Sequence, residues 1–169
     1  KKISIPRYLV VVSGTFSAFI NLLLNLLVLL LIAFLNGVKP MESWLLLPIL
    51  IIELLVFSLA LGFFLSALFV KYRDASYVWE VLLQAGFYAT PILYPLTMVA
   101  EKYQKILMLN PMAQIVQDSR WAFVSHQTLS SWKVLDIPAL LIPSTFIVIM
   151  VIVSVLYFKK EAKYFAERI

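Results

Sequence analysis

The segment FYATPILYPLTMV, residues Phe87–Val99, decides how this chain is to be read. It lies in an apolar run long enough to enter a membrane. Pro91 and Pro95 interrupt it, and the charged EKYQK, Glu101–Lys105, follows at once. Proline lacks a backbone donor, and its ring clashes with the preceding helical turn. The run therefore has to stop as a helix here, and the chain beyond it must be something other than a plain span.

The surroundings are strongly apolar. Of 169 residues, 63% are hydrophobic and only 14% are charged, and the mean hydropathy is +0.96. A soluble domain of this size has no interior large enough for that much apolar surface, so the expected class is all-α, a polytopic membrane helical bundle. Continuous apolar runs, rather than short alternating segments, argue against a β-barrel. There is no cysteine and one histidine, His126. No metal centre and no catalytic cluster is therefore expected. The net charge of +5 reads as membrane topology and calls for no nucleic acid.

A helix needs about 20 apolar residues to cross the hydrocarbon. Four segments qualify, 8–35, 44–70, 78–96 and 137–158, with a more polar outer region, 97–136, between the last two. If both ends face the cytoplasm, Lys1, Lys2, Arg7, Lys71, Arg73, Lys159, Lys160, Lys163 and Arg168 lie inside. The smaller basic set, Lys39, Lys102, Lys105, Arg120 and Lys133, lies outside. The positive-inside rule favours this orientation, and Tyr8, Trp44, Tyr72, Tyr77, Trp79, Tyr157 and Phe158 fall at the expected interfaces. The whole chain then forms a single transmembrane domain. The opening KKISIPRYLV has no initiator methionine and no signal-peptide pattern. It is expected to begin part-way through a longer chain that supplies earlier spans.

Beyond the prolines, Asn110 is a favoured N-cap and Pro111 a favoured first helical residue. A helix is expected from there with the apolar stripe Met112, Ile115, Val116, Ala122 and Phe123. Gln114, Gln117, Asp118 and Trp121 share the other face at i, i+3, i+4 and i+7 spacing. Upstream, Val99, Tyr103 and Ile106 mark a second short amphipathic helix. The pair either lies flat on the outer surface or dips into the membrane as a re-entrant hairpin, which requires surrounding protein or a water-filled cavity. The amides, carboxylate and indole of the polar face suit an outer gate for a sugar polymer; the plainer reading is the wet side of a surface helix.

The order of motifs resembles the ABC-2 type permeases, the membrane subunits of ABC exporters for polymers such as O-antigen polysaccharide and teichoic acid. Pro91, Tyr94 and Pro95 match that family's P-x-x-Y-P. Glu101-Lys102-Tyr103 and Leu109-Asn110-Pro111-Met112-Ala113 follow in order, then Asp118 and Arg120. KKISIPRYL and KYRDASYVWEVLLQ resemble two further stretches, whereas Ala100 and Gln114 depart from the pattern. The resemblance implies spans three to six of a permease that exports a polysaccharide or polyol-phosphate polymer across the cytoplasmic (inner) membrane. It implies a homodimer around the pathway and a separate ABC ATPase subunit that holds ATP and Mg, since the chain has no GxxxxGK[ST] loop. The polymer or its glycolipid is the implied substrate. The alternatives are an ABC-2 drug or small-lipid exporter subunit, or a non-transporting membrane scaffold.

Three further sets of residues carry expectations. Lys1, Lys2, Pro6, Arg7, Lys71, Arg73 and Asp74 sit on the predicted cytoplasmic face, either as topology signals and lipid contacts or beside the ATPase. Glu53, well inside a span, is matched in depth by Asn25, with Asn21 one turn further in. A Glu53–Asn25 hydrogen bond is expected, with a place on the transport path or proton coupling as alternatives. Ser58, Gly62 and Ser66, and likewise Gly14 and Ala18, form small-residue stripes suited to close helix packing.

Overall fold

The computed structural model describes residues 8–72 and 74–162. Lys1, Lys2, Pro6, Arg7, Arg73 and the tail from residue 163 lie outside the described residues, so the expectations placed on them do too. The described residues are helical, without strands. Helix α1 is Tyr8–Leu35, as the apolar run predicts. It ends in a turn where Gly37 takes φ 76°. The Gly37 and Val38 N–H groups close on the Phe34 and Ala33 carbonyls, a helix stop that glycine makes without strain. A 3-10 turn, Glu42–Leu46, leads into α2, Leu47–Lys71, with Pro48 in its first turn.

Helix α3 spans Ala75–Ala89. It starts before the expected third span and stops well before Leu96. At 1.5 Å per residue it is roughly 22 Å long, short of the roughly 30 Å hydrocarbon thickness. The cause is Pro91, whose missing donor and bulk end the helix, and the last turn is closed locally. The Thr90 N–H donates to the Gly86 carbonyl at 2.9 Å, and so does the Thr90 hydroxyl, at 2.9 Å. Among the described residues, three helices are long and apolar enough to cross a membrane: Tyr8–Leu35, the continuous Glu42–Lys71 and Ile137–Glu161.

After the break come α4, Glu101–Met108, α5, Pro111–Phe123, the one-turn α6, Ser131–Val134, and α7, Ile137–Ala162. The most extensive packing joins α2 to α7. Leu50, Phe57 and Ile147 form its core. Phe57 meets Phe146 with ring centroids 6.4 Å apart, and Phe63 meets Phe158 edge-on at 5.1 Å. Phe64 lies 5.6 Å from Tyr157. At the far end Lys71 pairs with Glu161 at 3.4 Å. In lipid, van der Waals fit rather than water exclusion must hold such a pair, and interlocked rings supply it.

Helix α5 enters the same core. Ile115 is buried with Leu50, Phe57 and Ile147, and Met112 packs against them. Both faces of α5 are covered, so it is not a helix with one wet side. Helix α1 touches α2 through the small-residue position Gly62: a Cβ there would stand 3.0 Å from the Val11 side chain. The companion position Gly14 has nothing within 4 Å, so that stripe makes no close approach. Helix α3 packs only lightly on α2, and Val78, Val81, Leu82, Leu83 and Phe87 stay exposed.

Candidate functional site

The polar residues of the break and of α5 form one connected cluster. Asn110 caps α5 as its sequence predicts, its Oδ1 accepting the Met112 N–H at 3.0 Å. Its Nδ2 reaches the Thr90 hydroxyl at 3.5 Å, which joins the start of α5 to the end of α3. Pro91 is fully buried, and Pro95 is exposed. Between them, the Tyr94 hydroxyl donates back to the Tyr88 carbonyl at 3.0 Å.

Arg120 answers the question that the prolines raise. Breaking a helix frees carbonyl acceptors, which are costly at membrane depth without donors. The Arg120 guanidinium donates to the Ile92 carbonyl at 2.9 Å and to the Tyr94 carbonyl at 3.5 Å. It also reaches Gln117 Oε1 at 3.5 Å. A planar fork with several fixed donors suits this clamp better than a single ammonium does.

Gln117 and Asp118 face protein. Gln117 Nε2 donates to the Leu129 carbonyl at 2.7 Å. The Asp118 carboxylate accepts the Ser131 N–H and the Ser131 hydroxyl, both at 2.6 Å. Burial pushes the Asp118 carboxyl above the usual carboxylate range, and the two Ser131 bonds and the neighbouring Gln114 amide pull it part of the way back. Both residues are only 2% exposed and Gln114 is 8% exposed. The expected wet face is thus an internal seam, because the loop after α5 folds back over it. Trp121 is enclosed as well: His126 stacks on it at 4.4 Å, and Trp132 meets it edge-on at 4.7 Å. Two polar atoms on α5, Gln114 Oε1 and Trp121 Nε1, are buried without a partner.

The other end of α5 is fixed to the start of α2. Trp44 stacks on Phe123 at 4.9 Å and lies 5.8 Å from Phe34. The Ser43 hydroxyl donates to the Ala122 carbonyl at 2.8 Å.

The intramembrane pair departs from expectation. Asn25 does not bond Glu53; its amide donates to the Asn21 carbonyl of its own helix at 2.8 Å. The face of α1 lining the cavity with α2 and α5 is Leu22, Leu26 and Leu29, which leaves Asn21 and Asn25 off that face and exposed. Glu53 is half-buried on α2. Of the predicted cytoplasmic set, Lys71 is used within the fold by Glu161, and Asp74 is exposed just before α3. Sequence reasoning gave no role to Ser131, Thr90, Ser43, His126 or Trp132. The only signal for Ser131 was that a buried carboxylate needs donors and that a hydroxyl lay in the next loop.

A model of the family described as "ABC-2 type transporter" matches residues 2–124. The chain belongs to the ABC-2 type transporter family. The break, the Asn110 cap and all of α5 fall inside the ABC-2 match, whereas α6 and α7 follow it. Among relatives, the chain is 30% identical over 128 residues to the O-antigen export system permease protein RfbA of Myxococcus xanthus. That match covers 75% of this chain and 49% of the relative. Two proteins of the same name from Klebsiella pneumoniae are 29% and 28% identical over 126 residues, each covering 74% of this chain and 49% of the relative. The chain spans about half the length of the curated relatives it matches.

Proposed function

We propose that this chain works in the permease of an ABC exporter that moves a polysaccharide across the cytoplasmic membrane. The observation that carries the reading is the ABC-2 match together with three similar chains that all bear the name of O-antigen export permeases. A separate ATPase subunit would supply ATP hydrolysis, and two permease copies would form the pathway. In this reading both ends of the segment face the cytoplasm, the short α3 and the proline turn after it together return the chain to the outer side, and α4 and α5 make a re-entrant hairpin there.

Several contacts support the hairpin. Met112 and Ile115 of α5 pack with Phe57, ten residues into α2 and so about 15 Å from its start. The α5 backbone at that depth is wrapped by α2 and α7, which is the condition for non-spanning structure inside a bilayer. The candidate gate residues Gln114, Gln117, Asp118 and Trp121 would act by holding the hairpin shut, with Arg120 linking it to Ile92 and Tyr94. Opening such a gate needs an element with two arrangements, so in this reading α5 would have to exchange its buried bonds to Leu129 and Ser131 for others.

The test uses the full-length permease with its cognate ATPase. Cells lacking the permease gene should lose surface polysaccharide while its lipid-linked precursor accumulates inside, and the restored gene should reverse both. Purified complex in nanodiscs should hydrolyse ATP faster when that precursor is added. Unaltered surface polysaccharide in the deletion strain would sink the reading.

A further inference from the structure

An open cleft of about 710 Å³ lies between α4, the turn preceding it, and α6. Glu101, Gln104, Lys105 and Lys133 give it hydrogen-bonding groups of both senses, and Leu129 and Val134 give it an apolar strip. Three of the four polar groups are held in place. Gln104 is 9% exposed, and its amide donates to the Val99 carbonyl at 2.7 Å. The Lys105 ammonium bonds Asp136 at 3.1 Å, and the Lys133 ammonium bonds the His126 carbonyl at 2.9 Å.

The charges balance. Lys105 and Lys133 line the cleft with the Glu101 carboxylate, and Asp136, just outside the wall, is paired with Lys105. A repeating phosphodiester would meet those carboxylates and find no cationic surplus to offset its own charge. A neutral sugar has the complementary make-up: hydroxyls that both donate and accept, and C–H faces for an apolar strip. Donors and acceptors already fixed in place bind with less ordering cost than mobile ones.

We propose that this cleft binds a neutral, hydroxyl-rich saccharide segment of the exported polymer and rejects a polyol-phosphate chain. The inference rests on the export reading and narrows its substrate class. The cleft is a resting place beside the hairpin, so a sugar seated there contacts α4 and α6 together and bears on their relative position.

The experiment uses the full-length permease with its ATPase in lipid nanodiscs. The probes are the producing cell's own envelope polysaccharide, freed of lipid by mild acid, and poly(glycerol phosphate) of similar length. The wild-type complex should bind the first and protect residues 97–105 and 129–134 from hydroxyl-radical labelling. The Glu101→Gln, Lys105→Met double variant should bind about tenfold more weakly, the loss expected for roughly one charge-assisted hydrogen bond. Glu101→Gln alone changes an exposed side chain and separates a binding effect from a folding one; it should weaken binding with an unaltered melting temperature. Unchanged affinity in both variants, no binding by the wild type, or equal binding of poly(glycerol phosphate) overturns the cleft. If cleft variants also export polymer like the wild type, the cleft falls while the export reading stands. If cells without the permease still export polymer, the export reading falls instead.

Discussion

Helices α2 and α3 follow one another, are both apolar, and are treated in opposite ways. α2 is gripped along its length: rings from Phe57 to Phe64 interlock with α7, Ile115 enters from α5, and Lys71 closes the far end on Glu161. α3 exposes most of its apolar side chains and is held chiefly at its broken end, through Thr90 to Asn110 and through the following turn to Arg120. Hydropathy does not separate the two. What separates them is the presence of facing partners: small positions and large rings placed to interlock on α2, and a proline stop with a polar tether on α3. One helix belongs to a fixed frame; the other packs lightly on it and is tied to it at its broken end.

The sharpest way to break this contrast is to cut the α5 seam. Asp118→Ala would leave the buried Ser131 N–H and hydroxyl without an acceptor, a loss of about 3 kcal/mol for two charge-assisted bonds. The expected result is a markedly lower melting temperature for the purified permease, with Asp118→Asn intermediate because it keeps one acceptor. Next in size, Arg120→Met should cost about 2 kcal/mol by orphaning the Ile92 and Tyr94 carbonyls. Hydrogen exchange should speed up at the end of α3 and in the turn after it while the α2–α7 core stays protected; Arg120→Lys should rescue only part. Uniform loss of protection would show that α3 is not tied at that point.

Gly62→Leu tests the frame. The added carbons meet Val11 and force α1 outward, at about 1–2 kcal/mol. Cysteines introduced at Thr15 and Ser58, which line one cavity, should then cross-link more slowly. The smallest effect is expected on α3 itself. Leu82→Ala or Leu83→Ala, at exposed positions, should change stability by less than about 0.5 kcal/mol. A melting shift as large as that of a Phe57→Ala control would erase the contrast.

Much of this architecture was legible in the sequence. The limits of α1 and the start of α5 follow from hydropathy and from Asn110-Pro111, since both are local. The third span was overextended because a hydropathy window continues through Thr90–Leu96, whereas a backbone without a donor at Pro91 does not. The polar face of α5 was legible as a face but not as a seam. Gln117 finds its partner on the Leu129 backbone, and Asp118 on the backbone and hydroxyl of Ser131; no side-chain pattern announces a main-chain partner. The Glu53–Asn25 pairing failed for a related reason. Equal depth brings two residues to one level, but helix rotation decides whether they meet, and Leu22, Leu26 and Leu29 won that face of α1.

The bonds from Gln117 to Leu129 and from Asp118 to Ser131 cinch the chain at the neck of a small loop, with His126 and Gln127 exposed at its tip. A loop closed at its neck tolerates extra length, because loop-closure entropy rises only slowly with added residues. An epitope inserted after Gln127 should therefore leave the bundle undisturbed, and antibody access to it in intact cells would report which side of the bilayer that loop occupies.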